Sequence, residues 1–539
     1  MAYALLVLES FVLFAGWHIW KSLRNAVVKS RIRNLPGPLR AAWFEGNMKQ
    51  LHDAQGLPFL QGLAKYGSAV QIHGICGDEQ IFISDPRALH SIVIKDQDIF
   101  EEANMLIQCH RLTLGYGLLG MLGEHHKRQR KMLNPVFNTK FMRQFTPLFY
   151  SITYKLRDKL ATKVEPEGSK IDMLAWMSQV ALELIGQAGF GYSFEVIDES
   201  TRNEYAECFR ELIPTVFTLQ AYLQFIPFLV KLGPPALRRF IVGLLPSRRI
   251  RRLKTIIDTL DHTSKMILKE KRHELESGDA NAKKEGRDII SVLLRENEVA
   301  SEDDRLPEHE ILGQLSTFTF AAHDTTSAAV SRILYTLCKH PEAQEKLRIE
   351  LKEARVHGDL PYDDLMALPY LDAICRETLR LYPPVPFIPR TSKKDTTIAL
   401  LRPVTGTDGT LITSIPIANN QGLVIGILAA NTDPEIWGPD AEEWRPERWL
   451  EPLRKSVQDA RMPGVYSHTM TFLGGGRGCI GFKFSELEMK IVLSLLLEKF
   501  RLDLPDDEEI IWKLGSIQTP SVKGRVGERP YLPMKVTPV

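Results

Sequence analysis

The stretch of sequence that decides the fold of this chain is Phe472-Leu473-Gly474-Gly475-Gly476-Arg477-Gly478-Cys479-Ile480-Gly481. Four glycines precede the cysteine and one follows it, which lets backbone N–H groups approach the sulfur closely. Residues 482–500 carry a strong helical pattern, so Cys479 is predicted to lie at a helix N-terminus. The helix dipole favours a negatively charged sulfur at that end. The stretch therefore predicts a thiolate that acts as a metal ligand.

A thiolate in this setting suits haem iron. The negative sulfur pushes electron density toward the iron and favours cleavage of the O–O bond. Arg477 stands two residues before the cysteine, where its guanidinium can pair with a haem propionate. The alternative is a glycine-rich loop that carries an ordinary buried cysteine, but average residue usage rarely produces the pattern Phe-x-x-Gly-x-Arg-x-Cys-x-Gly by chance.

The overall composition is compatible with one large globular unit and excludes several other classes of protein. The chain has 539 residues, of which 44% are hydrophobic, and its formal net charge is +2. Nothing in this balance points to nucleic acid or to an acidic partner. The six cysteines lack CxxC spacing, so we expect reduced thiols in a cytosol-facing domain and neither a disulfide framework nor a zinc site.

The N-terminal segment predicts a membrane anchor and a linker. Residues 1–20 are almost wholly apolar and are long enough to span a bilayer as a helix. Residues 21–38 hold a basic cluster and end in the stiff hinge Leu35-Pro36-Gly37-Pro38. The positive-inside rule then leaves residues 39–539 on the cytoplasmic side as the main domain. A cleaved signal peptide is the alternative, but no charged segment precedes the apolar run.

Hydrophobic periodicity predicts that the rest of the chain is mainly α-helical. The predicted helical stretches are 140–163, 171–188, 203–223, 237–276, 308–339 and 363–381. A hairpin is expected at 70–75 and 80–84, β-like runs at 386–428, and a short β-like tail at the end of the chain. The charged stretch 277–287 reads as a solvated loop. The pattern therefore indicates a mainly α fold with a small β-rich part.

Three further motifs on predicted helices carry polar chemistry. Glu377 and Arg380 stand three residues apart on one helix face, where a surface pair is the default interpretation. Asp324 and Thr325 follow one another in mid-helix, where an acid and an alcohol can relay protons through water, although a merely polar helix face is the alternative. His126 lies four residues before Arg130, so the two side chains share one face.

The thiolate loop together with these motifs resembles the cytochrome P450 family, and the resemblance covers nearly the whole chain. It implies a helical triangular prism with a small β-rich lobe, to which the anchor adds an N-terminal transmembrane helix. It also implies haem b as the cofactor and Cys479 as the axial ligand of the haem iron. In the family a downstream Pro-Glu-Arg-aromatic segment completes the Glu-x-x-Arg pair. Here Arg448 is that third member, and we expect Glu377, Arg380 and Arg448 to form a scaffold behind the haem.

The resemblance also assigns individual site residues. It implies that Asp324 delivers protons and that Thr325 holds oxygen and its water. The cofactor-binding residues that it implies are His126, Arg130, Arg390, Arg477, Phe472, Gly475 and Gly481. His126 stands where the family has tryptophan, and it keeps an N–H donor. Ala322 stands where the family usually has glycine, which alters the expected helix geometry, and we expect His323 to be a satisfied core or water-facing histidine.

The implied activity is a monooxygenase that acts on a lipophilic small molecule, for which we expect a terpenoid or another secondary metabolite. Its implied partners are an NADPH-dependent flavin reductase, with cytochrome b5 as a second electron donor, and membrane lipid of the endoplasmic reticulum. We expect the reductase to dock on Lys127, Arg128, Lys131 and Lys483. The apolar run 225–230 and the arginines near 248–252 suggest a surface that dips into the bilayer, with helix core as the alternative.

Two other functions stay open at this point. A haem-thiolate isomerase that rearranges peroxides needs no reductase, but such enzymes often lack the acid–alcohol pair that this chain keeps. A haem sensor without turnover needs neither a proton relay nor a thiolate.

Overall fold

The structure is a computed structural model that describes residues 31–198, 203–219, 225–277 and 288–539, together with residues 16 and 223. The predicted anchor at 1–20 lies outside the described residues except for residue 16, as do most of the linker at 21–38 and of the charged stretch at 277–287. In the part of the chain that the structure describes, no helix is both long and apolar enough to cross a bilayer.

Helices make up most of the described chain, which confirms the prediction of a mainly α fold. The longer helices are α1 Asn104–Leu114, α2 Gly123–Leu133, α3 Thr139–Ala161, α4 Met173–Leu184, α5 Glu204–Thr218, α6 Pro235–Leu244, α7 Arg248–Glu276, α8 Ile289–Val299, α9 Glu308–Lys339, α10 Pro341–Ala354, α11 Pro369–Leu381 and α12 Phe482–Lys499. Shorter α-helical segments are Met48–Leu51, Leu57–Gly62, Pro86–His90, Ile226–Leu229, Tyr362–Met366, Ile427–Asn431, Pro434–Trp437 and Lys455–Ala460.

Two of the predicted helical stretches are wrong in that each is interrupted. The stretch 237–276 breaks between α6 and α7, because Pro246 cannot continue a helix and Ser247 caps the next one by accepting a hydrogen bond from the Ile250 N–H. The stretch 363–381 breaks before Pro369, which takes the first position of α11.

The strands form a small β-rich region. They are β1 Ala69–His73, β2 Glu79–Ile83, β3 Phe100–Glu101, β4 Ser169–Asp172, β5 Phe387–Ser392, β6 Thr396–Thr405, β7 Leu411–Ile417, β8 Gly422–Gly426, β9 Phe500–Asp503, β10 Ile510–Lys513, β11 Thr519–Val522 and β12 Pro533–Pro538. Five of them form a sheet in the order β1-β2-β8-β5-β3, in which only β2 and β8 run parallel. The antiparallel pairing of β1 with β2 confirms the predicted hairpin. Strands β4, β12 and β9 form a second sheet, and β6-β7 and β10-β11 are separate two-stranded pairs.

Helix α9 lies at the centre of the helical region. It packs against α4, α7, α11 and α12. Its buried residues lie all round the helix rather than on one stripe, as is typical of a helix enclosed by its neighbours. Residues of α9 and α12 belong to the same hydrophobic core. The fold therefore holds the predicted acid–alcohol motif of α9 beside the helix that begins directly after the thiolate loop.

Candidate active site

Cys479 lies in the loop that leads into α12, three residues before the first residue of that helix. Its backbone N–H donates to the carbonyl of Phe472 over 2.8 Å, which closes the loop on itself. Among the cysteine side chains that the structure describes, only that of Cys479 is exposed. The surrounding protein removes the thiol from bulk water, and this burial raises its pKa, while the Gly481 N–H and the charge of Arg130 act to lower it. The sulfur is thus accessible to a bound group and sheltered from solvent.

The glycines of the loop fall into two groups according to what a side chain would contact at each position. A Cβ on Gly474 would lie 1.8 Å from the Pro463 carbonyl oxygen, and a Cβ on Gly475 would lie 1.7 Å from that of Val93. Gly475 also has a φ of +66°, which an L side chain rarely adopts. These two glycines therefore fit the loop against neighbouring backbone. At Gly481 a Cβ would meet only the Phe137 ring, at 3.9 Å, so packing within the protein does not require glycine there.

Two aromatic rings flank the start of the loop. The Phe472 ring lies edge-on to Tyr466, with 5.2 Å between the ring centroids, and 6.2 Å from the ring of Phe482. Phe472 is half-buried, and its carbonyl is the acceptor for the cysteine N–H. It therefore supports the loop through both its ring and its backbone.

Arg130 connects α2 to the thiolate loop. Its Nη1 donates to the Gly478 carbonyl over 2.5 Å, and its Nε donates to Asn134 Oδ1 over 2.9 Å. Burial lowers the pKa of Arg130, and the neighbouring Cys479 sulfur acts to raise it. The predicted i, i+4 arrangement thus brings the guanidinium to the residue directly before the cysteine.

Arg477 and Arg390 meet at a single carboxylate that the sequence reasoning missed. Glu102 Oε2 lies 3.0 Å from Arg477 Nη2, and Glu102 Oε1 lies 3.6 Å from Arg390 Nη2. Arg477 also donates to the carbonyls of Leu118 and Met121. Nothing in the local sequence distinguishes Glu102 from the preceding glutamate, since the two are adjacent at the end of the same short strand, β3. The three partners come together only in the folded chain.

His126 is buried beside these arginines. Burial, followed by the charges of Arg477 and Arg130, lowers its pKa to about 3. The imidazole is therefore neutral at physiological pH and offers one N–H donor and one acceptor. Its neighbour His125 is exposed and lies 3.7 Å from Glu310, on the other side of the helix.

These side chains have the chemistry that haem requires. A cysteine sulfur is a soft ligand that suits iron. Arg390 and Arg477 share the single carboxylate of Glu102, and Arg130, whose charge acts on Arg477, bonds to the Gly478 carbonyl and to Asn134, so two positive charges have no acidic partner among the residues of this group. A porphyrin with two propionates supplies two carboxylates, and planar guanidinium groups bind carboxylates well. The residues present therefore fit the group.

Helix α9 presents the predicted acid–alcohol pair. Thr325 Oγ1 donates to the Ala321 carbonyl, four residues earlier in the helix, over 2.6 Å. Asp324 is half-buried. Thr326 Oγ1 lies 3.1 Å from Ser485 Oγ, and this contact joins α9 to α12 six residues after the cysteine.

His323 is buried between α9 and α4. Its Nε2 lies 2.9 Å from Ser178 Oγ, as expected for a satisfied core histidine. Its Nδ1 lies 2.8 Å from Asp324 Oδ1, but the geometry of this approach is not that of a hydrogen bond. We therefore describe it as a close polar contact. The contact holds the ring against the side of the predicted proton-delivering acid.

Glu377, Arg380 and Arg448 form a fully enclosed ion-pair cluster, so the default interpretation of a surface pair is wrong. Arg380 donates to both oxygens of Glu377 over 2.9 and 2.8 Å, and Arg448 Nε donates to Glu377 Oε1 over 3.3 Å. Trp449 Nε1 also donates to Glu377, and Arg448 pairs with Asp440 over 3.1 Å. The last two partners were not predicted.

The cluster is linked to the start of the thiolate loop. Arg380 donates to the Asn431 carbonyl, and the Asn431 side chain accepts from the Met470 N–H over 2.7 Å. Asn431 Nδ2 donates to Thr471 Oγ1, whose hydroxyl in turn donates to the Leu379 carbonyl of α11. These bonds hold the segment that enters the loop, as expected of a scaffold.

The predicted basic docking surface is largely paired with acids of the same chain. Lys127 lies 2.9 Å from Glu124 and Lys131 lies 2.8 Å from Asp304. Arg128 pairs with the buried carboxylate of Glu310 at 3.2 Å and so takes part in packing. Lys483 donates to Thr139 Oγ1 over 2.9 Å.

Comparison with known proteins gives a consistent result. The family model described as Cytochrome P450 matches residues 36–526. Cytochrome P450 monooxygenase 91 of Postia placenta is 48% identical over 98% of each chain, and cytochrome P450 monooxygenase 219 of the same fungus is 42% identical over 99% of each chain. A ganoderic acid synthetase of Ganoderma lucidum is 39% identical over 97% of each chain.

Proposed function

This chain belongs to the cytochrome P450 family and is a monooxygenase with haem b as its cofactor, and within that class we propose that it oxidises a terpenoid with electrons from an NADPH-dependent reductase at a membrane. Bound haem with a thiolate ligand supplies the oxygen chemistry, in which one atom of O2 enters the substrate and the other leaves as water. The observation that carries the proposal is the exposed Cys479 sulfur in a loop to which Arg130 bonds and which contributes Arg477 to the cluster with Arg390.

We assign the binding of haem to residues of three parts of the chain. Cys479 is the iron ligand, and Arg130, Arg390 and Arg477 hold the propionates together with the neutral His126. Phe472 and Gly475 shape the loop, and Gly481 leaves room over the porphyrin face. In this assignment α2, β5 and the thiolate loop each contribute cations, so the porphyrin joins elements far apart in sequence.

We propose that Asp324 and Thr325 take part in proton transfer. The Thr325 hydroxyl donates its hydrogen to the Ala321 carbonyl, so its oxygen lone pairs stay available to accept a hydrogen bond from water. Half-buried Asp324, directly before Thr325 in the chain, would pass a proton to such a water. Thr325→Ala is expected to lower the product formed per NADPH consumed, and Thr325→Ser to restore most of it. If the wild type, Thr325→Ala and Thr325→Ser form the same amount of product per NADPH consumed, Thr325 does not have this role.

The iron ligand is tested by the absorption of the reduced protein with carbon monoxide. The wild type is expected to show the red-shifted band of a thiolate-bound haem, and Cys479→Ser to lose it. Cys338→Ser is the matched control, because Cys338 is half-buried and lies in α9 away from the loop. A Cys479→Ser protein that keeps the thiolate band and full turnover would contradict the proposal.

The terpenoid substrate is supported by the similarity to the ganoderic acid synthetase. Small differences in pocket shape decide which substrate and which carbon are oxidised, so this proposal extends only to the chemical class. Cells that express the chain and are fed a series of terpenes are expected to yield oxygenated products that control cells lack. Conversion of fatty acids alone would reassign the substrate class.

The electron donors are proposed to be a membrane-bound NADPH-dependent flavin reductase and cytochrome b5. A surface cavity of about 560 Å³, lined by Lys127, Arg130, Lys131 and Gly476 among others, adjoins the thiolate loop and supports docking there. Because Lys127 and Lys131 are already paired with local acids, their reversal to glutamate should affect reductase-supported turnover mainly at low salt. Unchanged turnover in low salt would exclude this docking face.

The location is proposed to be the endoplasmic reticulum membrane, with residues 1–20 as a single-pass anchor, 21–38 as the linker and hinge, and 39–539 on the cytoplasmic side. A second contact is supported by α6, which exposes Phe240 and Leu244, and by the nearby Arg248 and Arg249. A chain without residues 1–20 is expected to float weakly with anionic vesicles, and Phe240→Glu with Leu244→Glu should abolish that flotation. Retained flotation in the double variant would exclude the α6 contact.

A further inference from the structure

Arg390 and Arg477 share one acidic partner. Arg390 is 3% exposed, and its hydrogen bond to protein goes to the carbonyl of the residue before it, at 2.9 Å. Within the described residues, Glu102 is the carboxylate that pairs with Arg390, and it is also the one that pairs with Arg477. Burial lowers the pKa of both arginines, and Glu102 opposes that effect in both. A buried guanidinium needs such a counter-charge.

The other titratable groups close to Glu102 add no charge to this group. His110 lies near Glu102 and Arg477, and burial lowers its pKa, so it is neutral at physiological pH. His126 is neutral for the same reason. Glu101 pairs with Lys393 at 3.1 Å, and that ion pair has no net charge. Arg130, Arg390 and Arg477 with Glu102 therefore carry a net charge of plus two.

The surplus of two positive charges in this group equals the number of carboxylates on the porphyrin of haem b. We propose that Glu102 is a positioning residue that holds Arg390 and Arg477 and reduces the charge of the propionate-binding group from three to two, which sets the reduction potential of the haem iron. The proposal rests on the haem assignment given above. Without Glu102 the site would keep an uncompensated positive charge close to the iron.

A merely structural Glu102 would act differently. If it served only to hold the arginines in place, any change that keeps the shape of the side chain would leave the iron unaffected. If its charge matters, Glu102→Gln must favour the ferrous form, because that form carries one more electron and gains from the added positive potential. The protein environment tunes haem potential through charge and hydrogen bonding of this kind.

The test is a redox titration of the haem-loaded full chain, compared among Glu102→Gln, Glu102→Asp and Glu101→Gln. In Glu102→Gln we expect the equilibrium to shift roughly tenfold toward the ferrous form, equivalent to about 59 mV for a one-electron couple. Glu102→Asp keeps the charge, and Glu101→Gln changes the adjacent carboxylate that pairs with Lys393. Both are expected to stay close to the wild type. An unchanged potential in Glu102→Gln would overturn the proposal.

A compensating variant keeps the proposal testable if Glu102→Gln does not hold haem. Glu102→Gln combined with Arg390→Gln returns the net charge of the group to plus two, so we expect its potential to return to that of the wild type. A shift of roughly tenfold or more from the wild-type equilibrium in the double variant would contradict the charge-balance account.

The carbon monoxide band of each variant separates the two hypotheses. If the wild type lacks the thiolate band, the haem assignment itself has failed. If every variant keeps the band and the potential does not respond to the charge at Glu102, only the inference on Glu102 fails.

Discussion

Two buried groups of charges in this protein are built from the same residue types but are balanced differently. The buried side chains of the scaffold cluster are Glu377, Asp440, Arg380 and Arg448, two acids and two bases, and exposed Arg445 adds a third base at its edge, 3.1 Å from Asp440. The cofactor cluster consists of Glu102, Arg130, Arg390 and Arg477, so it holds one acid and three bases, of which Arg390 and Arg477 pair with the acid. A buried group whose charges are balanced within the protein serves the fold, whereas a group with a surplus is suited to bind an ion of opposite charge.

The hydrogen bonds of the two clusters support the same distinction. Arg380 donates to both oxygens of Glu377 and to the carbonyls of Asn431, Ala441 and Glu443, so its guanidinium is saturated. Arg390 donates to a single backbone carbonyl. Donor capacity that the protein leaves unused is thus a second sign of a binding site.

The largest expected effect comes from breaking the scaffold cluster. Glu377→Ala leaves Arg380 and Arg448 buried with one acid fewer, and loss of one partner of a buried pair costs about 3–5 kcal/mol. Urea unfolding monitored by circular dichroism measures this change. Glu442→Ala is the control, because its side chain is exposed, and it should change the free energy of unfolding by less than about 0.5 kcal/mol. Similar values for both variants would contradict the assignment of Glu377 to a scaffold.

The matching change in the cofactor cluster should separate binding from folding. If Arg477 binds a propionate as proposed, Arg477→Gln removes one charge-assisted contact, which corresponds to about 1.5–3 kcal/mol of haem binding. Glu102 keeps Arg390 as a partner, so the stability of the haem-free chain should change much less. Transfer of haem to an excess of apomyoglobin gives the loss rate, which we expect to rise at least tenfold. If the haem-loss rate stays the same while the free energy of unfolding of the haem-free chain falls, Arg477 serves the fold, as the scaffold cluster does.

The cofactor cluster should also respond to pH through His126. Its pKa is about 3 in the folded chain and about 6.5 when unfolded, so only the unfolded chain takes up the proton between these values. The haem-free chain therefore loses stability as pH falls below about 6.5. Since His126→Asn removes this uptake, its free energy of unfolding relative to the wild type should improve by about 2 kcal/mol between pH 7 and pH 5. Parallel pH profiles of the two proteins would show that His126 is not buried as described.

His52 complicates the pH profile but does not alter the comparison. Burial lowers its pKa to about 4, so it also destabilises the folded chain in acid. Because it is present in both the wild type and His126→Asn, its contribution cancels in their difference.

The smallest expected effect is on an exposed ion pair. Lys131 and Asp304 lie 2.8 Å apart, but their side chains are 70% and 43% exposed. Water and salt screen such a pair, so Lys131→Gln should leave both the unfolding midpoint and the haem-loss rate unchanged. A clear change in either would mean that the docking surface takes part in the cofactor cluster.

The sequence predicted those features that depend on neighbours within one helix or loop. Glu377 and Arg380 meet because residues three apart share a helix face, and Thr325 bonds to Ala321 because they are one turn apart. The position of Cys479 before α12 follows in the same way from the glycine loop and the helical pattern after it. Hydrophobic periodicity continues across the breaks before Ser247 and Pro369 and so does not reveal them, although a proline stands at each break.

Spacing and chemical type along the chain were sufficient to recognise a haem-thiolate protein, and the family resemblance added the scaffold of Glu377, Arg380 and Arg448. They were not sufficient to choose Glu102 over Glu101, to add Asp440 to the scaffold, or to place Ser178 beside His323. The geometry of a helix or loop depends on residues that are close together in the sequence, so a sequence pattern predicts it. Charge balance depends on which distant groups come within a few ångströms of each other, and only the packed tertiary structure decides that.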